Sequence, residues 1–465
     1  MKHPLTVLLK NTIRSIDNLQ EYYILQLDSV TSHINKQLPK YYNSVILELF
    51  FISKIPGINL SEVLDNDKSF FDTEMLPKII DEILDSYEIV DEDDETWKVK
   101  YTLKHIGNLS KQNVPNPYLA IEKSLELKKQ NTILNKSVLM MLLVKYEEAI
   151  SGIYKFLLEK YPAAYLNEKN ITYAELFSDN ADISYIKQKF VDHEIESFMR
   201  QPLIEWYKTF INTHAMKFSI DSDEFKRFKE IYYRRNLVVH NQNVVNDNYL
   251  KNSGNDGVKI GDILDIDDEY IKNAFSTVLI IIYETFWRLV HTSKNEHDIL
   301  VDVMFERGYI YMVKNQWEIS KFIFEMLMED DNQRASIKMC ERINYWISIK
   351  NSEGMENIRN EIENLDLSAM QAKFIVAKYA LLDDFQQVSV ALERTINDGI
   401  MSNDIVEWPL FKQYRETEEY KVFLEKHKEL FDVKGYDITN IDLEDKEDIV
   451  SVLQSVKEML EKHKP

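Results

Sequence analysis

Arg235, Asn236 and His240 lie within six positions of one another, at the end of an amphipathic run from Phe225 to His240. A guanidinium grips phosphate with a planar fork and keeps its proton throughout the physiological range. An imidazole titrates near neutrality and can take or give a proton. Brought to one cleft, the two suit phosphoryl chemistry. The arginine would balance charge on a crowded phosphate while the histidine moves protons.

Whether they meet depends on the helix that carries them. Phe225, Phe228, Tyr232 and Val239 fall on one helical stripe, and Arg235 falls with them. Positions 235 and 240 diverge by about 140° on a straight helix, whereas Asn236 and His240 share a face. Convergence therefore needs the helix to end or bend near His240, or a second subunit to supply one partner. The polar text Asn241-Gln242-Asn243 favours an end there. Glu147 or Glu148, on an earlier helix, is the candidate partner for Arg235, pairing with it or steering it. Arg234, Lys226 and Lys229, with Arg227, are the candidates for a local positive field toward phosphate.

The surrounding text predicts a mainly α protein. Long helices are expected over Ser137–Tyr161, about Ile183–Lys217 with a break near Pro202, Asp223–His240, and about Asp267–Val290, the last nearly all apolar from Ala274 to Trp287. Four such helices make an up-and-down bundle. Residues 241–262 are rich in Asn, Asp and Gly and read as a loop. A basic connector, with Lys123, Lys128, Lys129 and Lys136, leads into the bundle. The expected divisions are 1–115, 116–295, 296–430 and 431–465.

The first 52 residues read as helical, with Leu5, Leu9, Ile13, Ile16 and Leu19 at spacings of three and four. Helices at Ser44–Ile52 and Met75–Ser86 follow. Next come two short strands, Tyr87–Val90 and Trp97–Leu103, around the acidic tip Asp91–Glu95. A winged-helix arrangement and a small α/β cap both fit; the acidic tip argues against a wing lying on phosphates. After residue 296, Gly308, Tyr311, Ser320 and Phe324 alternate small and aromatic, and Ala377, Ala380 and Ser389 repeat the frame two units of about 34 residues later. A final helix pair is expected over Trp408–His427 and Glu444–His463.

Composition narrows the function. With 10 Gly and 10 Pro in 465 residues, strand-and-turn architectures are disfavoured. The single Cys340 excludes an intrachain disulfide and a cysteine-based zinc site, and fits a reducing cytoplasmic setting. A net charge of −22 makes the chain a poor general binder of nucleic acid, so any RNA function needs a local basic cleft. No secretory signal is read, and apolar runs such as Val278–Tyr283 are too short to cross a bilayer.

The string Arg235-Asn236-x-x-x-His240, late in a bundle helix and followed by a polar loop and an apolar closing helix, resembles the HEPN superfamily (higher eukaryotes and prokaryotes nucleotide-binding domains). The resemblance covers roughly 137–292, and the tyrosine-rich Tyr232-Tyr233-Arg234 just before the motif agrees with it. It implies a metal-independent endoribonuclease without cofactor, acting as a homodimer in which two motifs face one cleft. His240 would manage the proton of the ribose 2′-hydroxyl or of the leaving 5′-oxygen, Arg235 would stabilise the transition-state phosphate, and Asn236 would orient histidine or substrate. By analogy the setting would be a regulated bacterial toxin or an anti-phage effector. Gln242 stands where members silenced by adenylylation carry tyrosine, which argues against that arrangement. The region from 296 resembles a tetratricopeptide-like stack, implying a protein partner or trigger.

Other candidates carry less. His193 and Glu196 share a helix face but lack further ligands at metal spacing. The acidic run Asp91–Glu95 lacks the glycine and spaced ligands of a calcium loop. No phosphate-cradling glycine loop is present. The rival reading is a non-catalytic interaction scaffold that uses the repeat-like region to bind a partner. A transcription regulator would need a basic recognition helix that the amino-terminal region does not supply.

Overall fold

The first helix, α1 (Pro4–Gln37), buries Leu5, Leu9, Ile13 and Ile16, the spacing expected of one face. The computed structural model describes residues 4–37, 84–93, 96–103, 117–166, 183–290, 294–331, 333–367, 370–395, 400 and 402–431. The expected helices at 44–52 and 444–463, and most of that at 75–86, lie outside these residues. Leu84–Ser86, expected at a helix end, are strand instead. They open β1 (Leu84–Asp93), which pairs antiparallel with β2 (Thr96–Leu103) and sets Ile89 opposite Val99 and Tyr87 opposite Tyr101. The hairpin follows the predicted alternation. The rest of the described protein is almost entirely helical.

One long helix, α2 (Pro117–Lys160), runs through the expected boundary at Ser137. The basic connector is its first half, because no proline interrupts the text and the one glycine, Gly152, sits far along it. A β-carbon at Gly152 would come within 2.9 Å of the Leu8 methyls, so glycine there lets α1 approach. Short α3 (Pro162–Leu166) follows, then α4 (Ile183–Met199) and α5 (Leu203–His214). The break between the last two falls at Pro202, as expected for a residue that cannot donate to a helix. Next are α6 (Asp223–His240), α7 (Asp247–Ser253) and α8 (Asp268–Val290).

α1, α2, α6 and α8 pack on one another around an aromatic and aliphatic core that includes Tyr146, Trp206, Tyr207, Phe225 and Phe228. Each fully buried large apolar side chain contributes roughly 1.5–3 kcal/mol relative to exposure. A polar thread crosses this core. The Tyr146 hydroxyl donates to that of Tyr207 (3.0 Å), which meets Thr285 Oγ1 (3.1 Å), and Thr285 donates to the Ile281 carbonyl (2.6 Å). Every member has a partner, as buried hydroxyls require. Asp268, at the start of α8, accepts from Asn135 (2.9 Å) and Asn131 (3.0 Å) of α2.

The chain divides into two compact units. The first holds the described residues up to Tyr311 together with Glu318–Asp330, and so includes most of α9 (Lys294–Val313) and α10 (Trp317–Met328). Between these two helices a β-carbon at Gly308 would meet the Phe324 ring at 3.0 Å. The second unit contains α11 (Ala335–Ser352), α12 (Arg359–Glu363), α13 (Ala372–Leu381), α14 (Phe385–Thr395), α15 (Ser402–Glu407), α16 (Glu418–Lys426) and α17 (Lys428–Phe431). The single helix expected over 408–427 is instead two 3-10 turns, Pro409–Phe411 and Tyr414–Glu416, followed by α16. Pro409 opens the first turn, and the Thr417 hydroxyl caps α16 by accepting from the Tyr420 N–H (3.3 Å). Among the described residues no helix is long and apolar enough to cross a membrane.

Candidate functional site

α6 begins and ends where its sequence says it should. Ser222 caps the start by accepting from the Phe225 N–H (3.2 Å), with Asp223 and Glu224 in the first turn facing the positive end of the helix dipole. His240 is the last helical residue. The N–H groups of Asn241 (2.9 Å) and Asn243 (3.2 Å) both close on the Leu237 carbonyl, and Gln242 and Asn243 take left-handed φ values of 52° and 67° that turn the chain back.

The face that α6 buries differs from the expected stripe. Phe225, Phe228, Ile231, Arg234 and Leu237 are buried, Tyr232 and Arg235 are half-buried, and Val239 is 47% exposed. α6 is covered on two sides. The bundle core takes Phe225, Phe228 and Tyr232, with Trp206 edge-on to Tyr232 at 5.9 Å. The segment after His240 folds back onto the other side, packing Val245 and Tyr249 on Leu237.

Arg235 points across to α2. Its Nη2 is 2.5 Å from Glu147 Oε1, the Tyr232 hydroxyl donates to the same oxygen (3.2 Å), and the guanidinium carbon lies 5.1 Å from the centre of the Tyr232 ring. The pair is partly screened from water, with side-chain exposures of 18% and 26%. Burial, and then the Glu147 charge, raise the Tyr232 phenol above its ordinary range, so it stays a donor. Glu148 instead pairs with Lys145 at the surface (2.9 Å). Asn236 is half-buried one turn before His240, and His240 is exposed. α6 is helical throughout from 235 to 240, so the two side chains leave it about 140° apart and about 7.5 Å along its axis.

Four basic residues of α6, Lys226, Arg227, Arg234 and Arg235, pair with acids. Arg234 is turned inward rather than toward solvent: its Nε meets Glu230 Oε1 at 2.7 Å and its Nη1 donates to the Asp265 carbonyl (3.0 Å). Lys226 pairs with Asp223 (3.2 Å) and Arg227 with Glu318 (2.7 Å), while Lys229 is half-buried. At the other position considered for a metal, Glu196 pairs with Arg200 and His193 is exposed.

Two groups were not singled out from the sequence. Glu230 gathers Arg234, Tyr249 and Tyr270 from three helices. Glu284 of α8 is buried beside Arg288, Glu224 and Glu329, and burial pushes its carboxyl up to about 7. An acid inside the apolar run 274–287 was the available signal for Glu284. Nothing in spacing joins residues 230, 249 and 270. Comparisons with protein-family models, with curated proteins and with solved structures returned no match for this chain.

Proposed function

We propose that this chain is a metal-independent endoribonuclease of HEPN type, working as a homodimer in the cytoplasm. The observation that carries this reading is the placing of His240. It stands exposed on the last residue of α6, five positions beyond an arginine held at a fixed point by Glu147 and Tyr232. One copy directs these side chains apart, so a complete site takes Arg235 or His240 from a second copy.

In that cleft His240 takes the proton of a ribose 2′-hydroxyl, and the freed oxygen attacks the adjacent phosphorus. Arg235 balances the charge of the five-coordinate phosphate. The bond from phosphorus to the 5′-oxygen breaks as the protonated imidazole returns its proton to that oxygen, giving a 2′,3′-cyclic phosphate and a 5′-hydroxyl. Asn236, on the face of α6 that His240 shares, orients the imidazole or the substrate. The acidic body slows RNA entry, and a trigger that opens the cleft raises the rate above a basal level that the purified protein already shows. The region from 296, read as tetratricopeptide-like, is where a protein trigger would bind. This suits a regulated toxin or anti-phage effector.

The test is incubation of RNA with the purified protein in excess EDTA, beside His240→Ala and Arg235→Ala. Metal-independent cleavage lost in both variants, by a chain that sediments as a dimer, is expected. A second reading has its own observation: the Arg235–Glu147–Tyr232 cluster is also what a purely structural bundle would contain. RNA left intact by the purified protein, or equal cutting by both variants, gives that scaffold reading the site.

A further inference from the structure

Glu230 lies in the middle of α6, and its two carboxylate oxygens collect donors from three helices. Oε1 accepts from Arg234 Nε (2.7 Å) and from the Tyr249 hydroxyl of α7 (2.5 Å). Oε2 accepts from the Tyr270 hydroxyl of α8 (2.9 Å). Arg234 extends the cluster to the Asp265 carbonyl and lies 4.7 Å from the centre of the Tyr270 ring. Asn255 donates to the Tyr249 oxygen (3.3 Å). Burial raises both phenols, Tyr270 well above its ordinary range, so both remain protonated donors near neutral pH.

The cluster ties down one stretch of chain at several points. Residues 241–267 leave the end of α6, form α7, and return as a short pairing in which Val244 faces Ile263. Within it Val245 N–H bonds Asp262 O (2.8 Å) and Leu264 N–H bonds Asn243 O (3.0 Å). Tyr249 anchors its first half to Glu230, Asp265 anchors its end through Arg234, and Asn241 and Asn243 close its beginning on Leu237. A stretch read from its composition as a polar loop is therefore a fastened strap. It starts at the residue after His240.

We infer that Glu230 is a positioning residue: it holds the 241–267 strap against α6 and thereby fixes the end of the helix on which His240 sits. The role in cleavage rests on the ribonuclease reading; the mechanical role does not.

Hydrogen exchange over the full chain tests the mechanical part, with native protein, Tyr249→Phe and Glu230→Gln. Tyr249→Phe keeps the ring and removes only the hydroxyl's bonds to Glu230 and Asn255, so it is the variant least liable to misfold. Amides of 243–264 are expected to exchange about tenfold faster, with α2 and α8 unchanged, because opening of the strap is local. The His240 ring signal of ¹³C-histidine-labelled protein should shift in the same variants. In RNA cleavage, kcat should fall about tenfold with KM little changed, the pattern of a group misplaced for the chemical step. Unchanged strap exchange with an unmoved His240 signal overturns the inference, as does loss of protection spread through the whole bundle. Should the native protein leave RNA intact, the ribonuclease reading fails, and the exchange and ring signal still decide the role of Glu230.

Discussion

Arg234 and Arg235 are neighbours in sequence with opposite commitments: Arg234 closes on Glu230 within its own helix, and Arg235 reaches Glu147 on another. The two positions are about 100° apart on the helix, so one faces the strap and the other faces α2. The Arg235–Glu147 contact fixes α6 against α2 at the point where the proposed chemistry needs its cation. Both partners are partly screened and Tyr232 shares the carboxylate, so the pair stands between an exposed ion pair and a buried one.

Glu147→Gln should therefore cost about 1–2 kcal/mol, more than a surface pair and less than a fully buried one. In a double-mutant cycle with Arg235→Gln, a coupling near 1 kcal/mol is expected from urea unfolding. Additive effects would mean that the two charges do not act as a pair.

Glu284 makes stability depend on pH. Burial lifts its folded-state pKa from 4.5 to about 7, so its contribution is fully present below pH 4.5 and is lost as pH rises through 7. The difference, 7 minus 4.5, corresponds to at most about 3 kcal/mol across that window. Glu284→Gln removes this dependence. Arg288 keeps Glu329, on which its Nη1 and Nη2 sit at 2.5 and 3.2 Å. Relative to native protein, the variant should gain stability between pH 5 and pH 8. Thermal unfolding curves for the two proteins that stay parallel over that range would show that Glu284 ionises freely in the folded state.

Much of this was legible beforehand. The bounds of α6 follow from Ser222, two acids and a periodic apolar run that stops at Asn241, all of them local signals. The break at Pro202 and the hairpin pattern are local too. What was not legible depends on distant partners. The stripe expected on α6 assumed one buried side, and the strap gave it a second, which turned Arg234 inward. Lysines early in α2 suggested a connector, yet charge does not end a helix that contains no proline breaker. The network at Glu230 joins positions 19 and 40 residues away, beyond the reach of any periodicity.

Gly308→Ala sets helix propensity against packing. Alanine is favoured over glycine inside a helix by about 1 kcal/mol. The added carbon, however, would sit 3.0 Å from two atoms of the Phe324 ring and 3.1 Å from Ile323 Cγ2. Phe324 is fully buried and edge-on to Phe305 at 5.6 Å, so it has little room to yield. Overpacking of this kind costs about 1–3 kcal/mol, and the net expectation is loss of about 1 kcal/mol in urea unfolding. A Gly308→Ala variant as stable as native would mean that the ring gives way.

Replacing each of the adjacent arginines with lysine separates architecture from chemistry. Arg234 uses Nε toward Glu230, Nη1 toward the Asp265 carbonyl, and its planar face toward Tyr270. A lysine offers one ammonium and no plane, so it cannot meet all three. Arg234→Lys leaves a carbonyl or a carboxylate short of a donor in a buried place and should destabilise by about 2 kcal/mol. Arg235 spends one nitrogen on Glu147 in a half-open place, and a lysine can reach that oxygen, so Arg235→Lys should cost under about 1 kcal/mol. On the proposed ribonuclease reading the order reverses for RNA cleavage. A lysine at 235 loses the fork that grips phosphate, and the rate should fall about a hundredfold, while Arg234→Lys, which loosens one anchor of the strap, should fall only about tenfold at temperatures where it stays folded. If Arg235→Lys cuts RNA at the native rate, or Arg234→Lys is the more stable of the two, the division of labour between these neighbours is wrong.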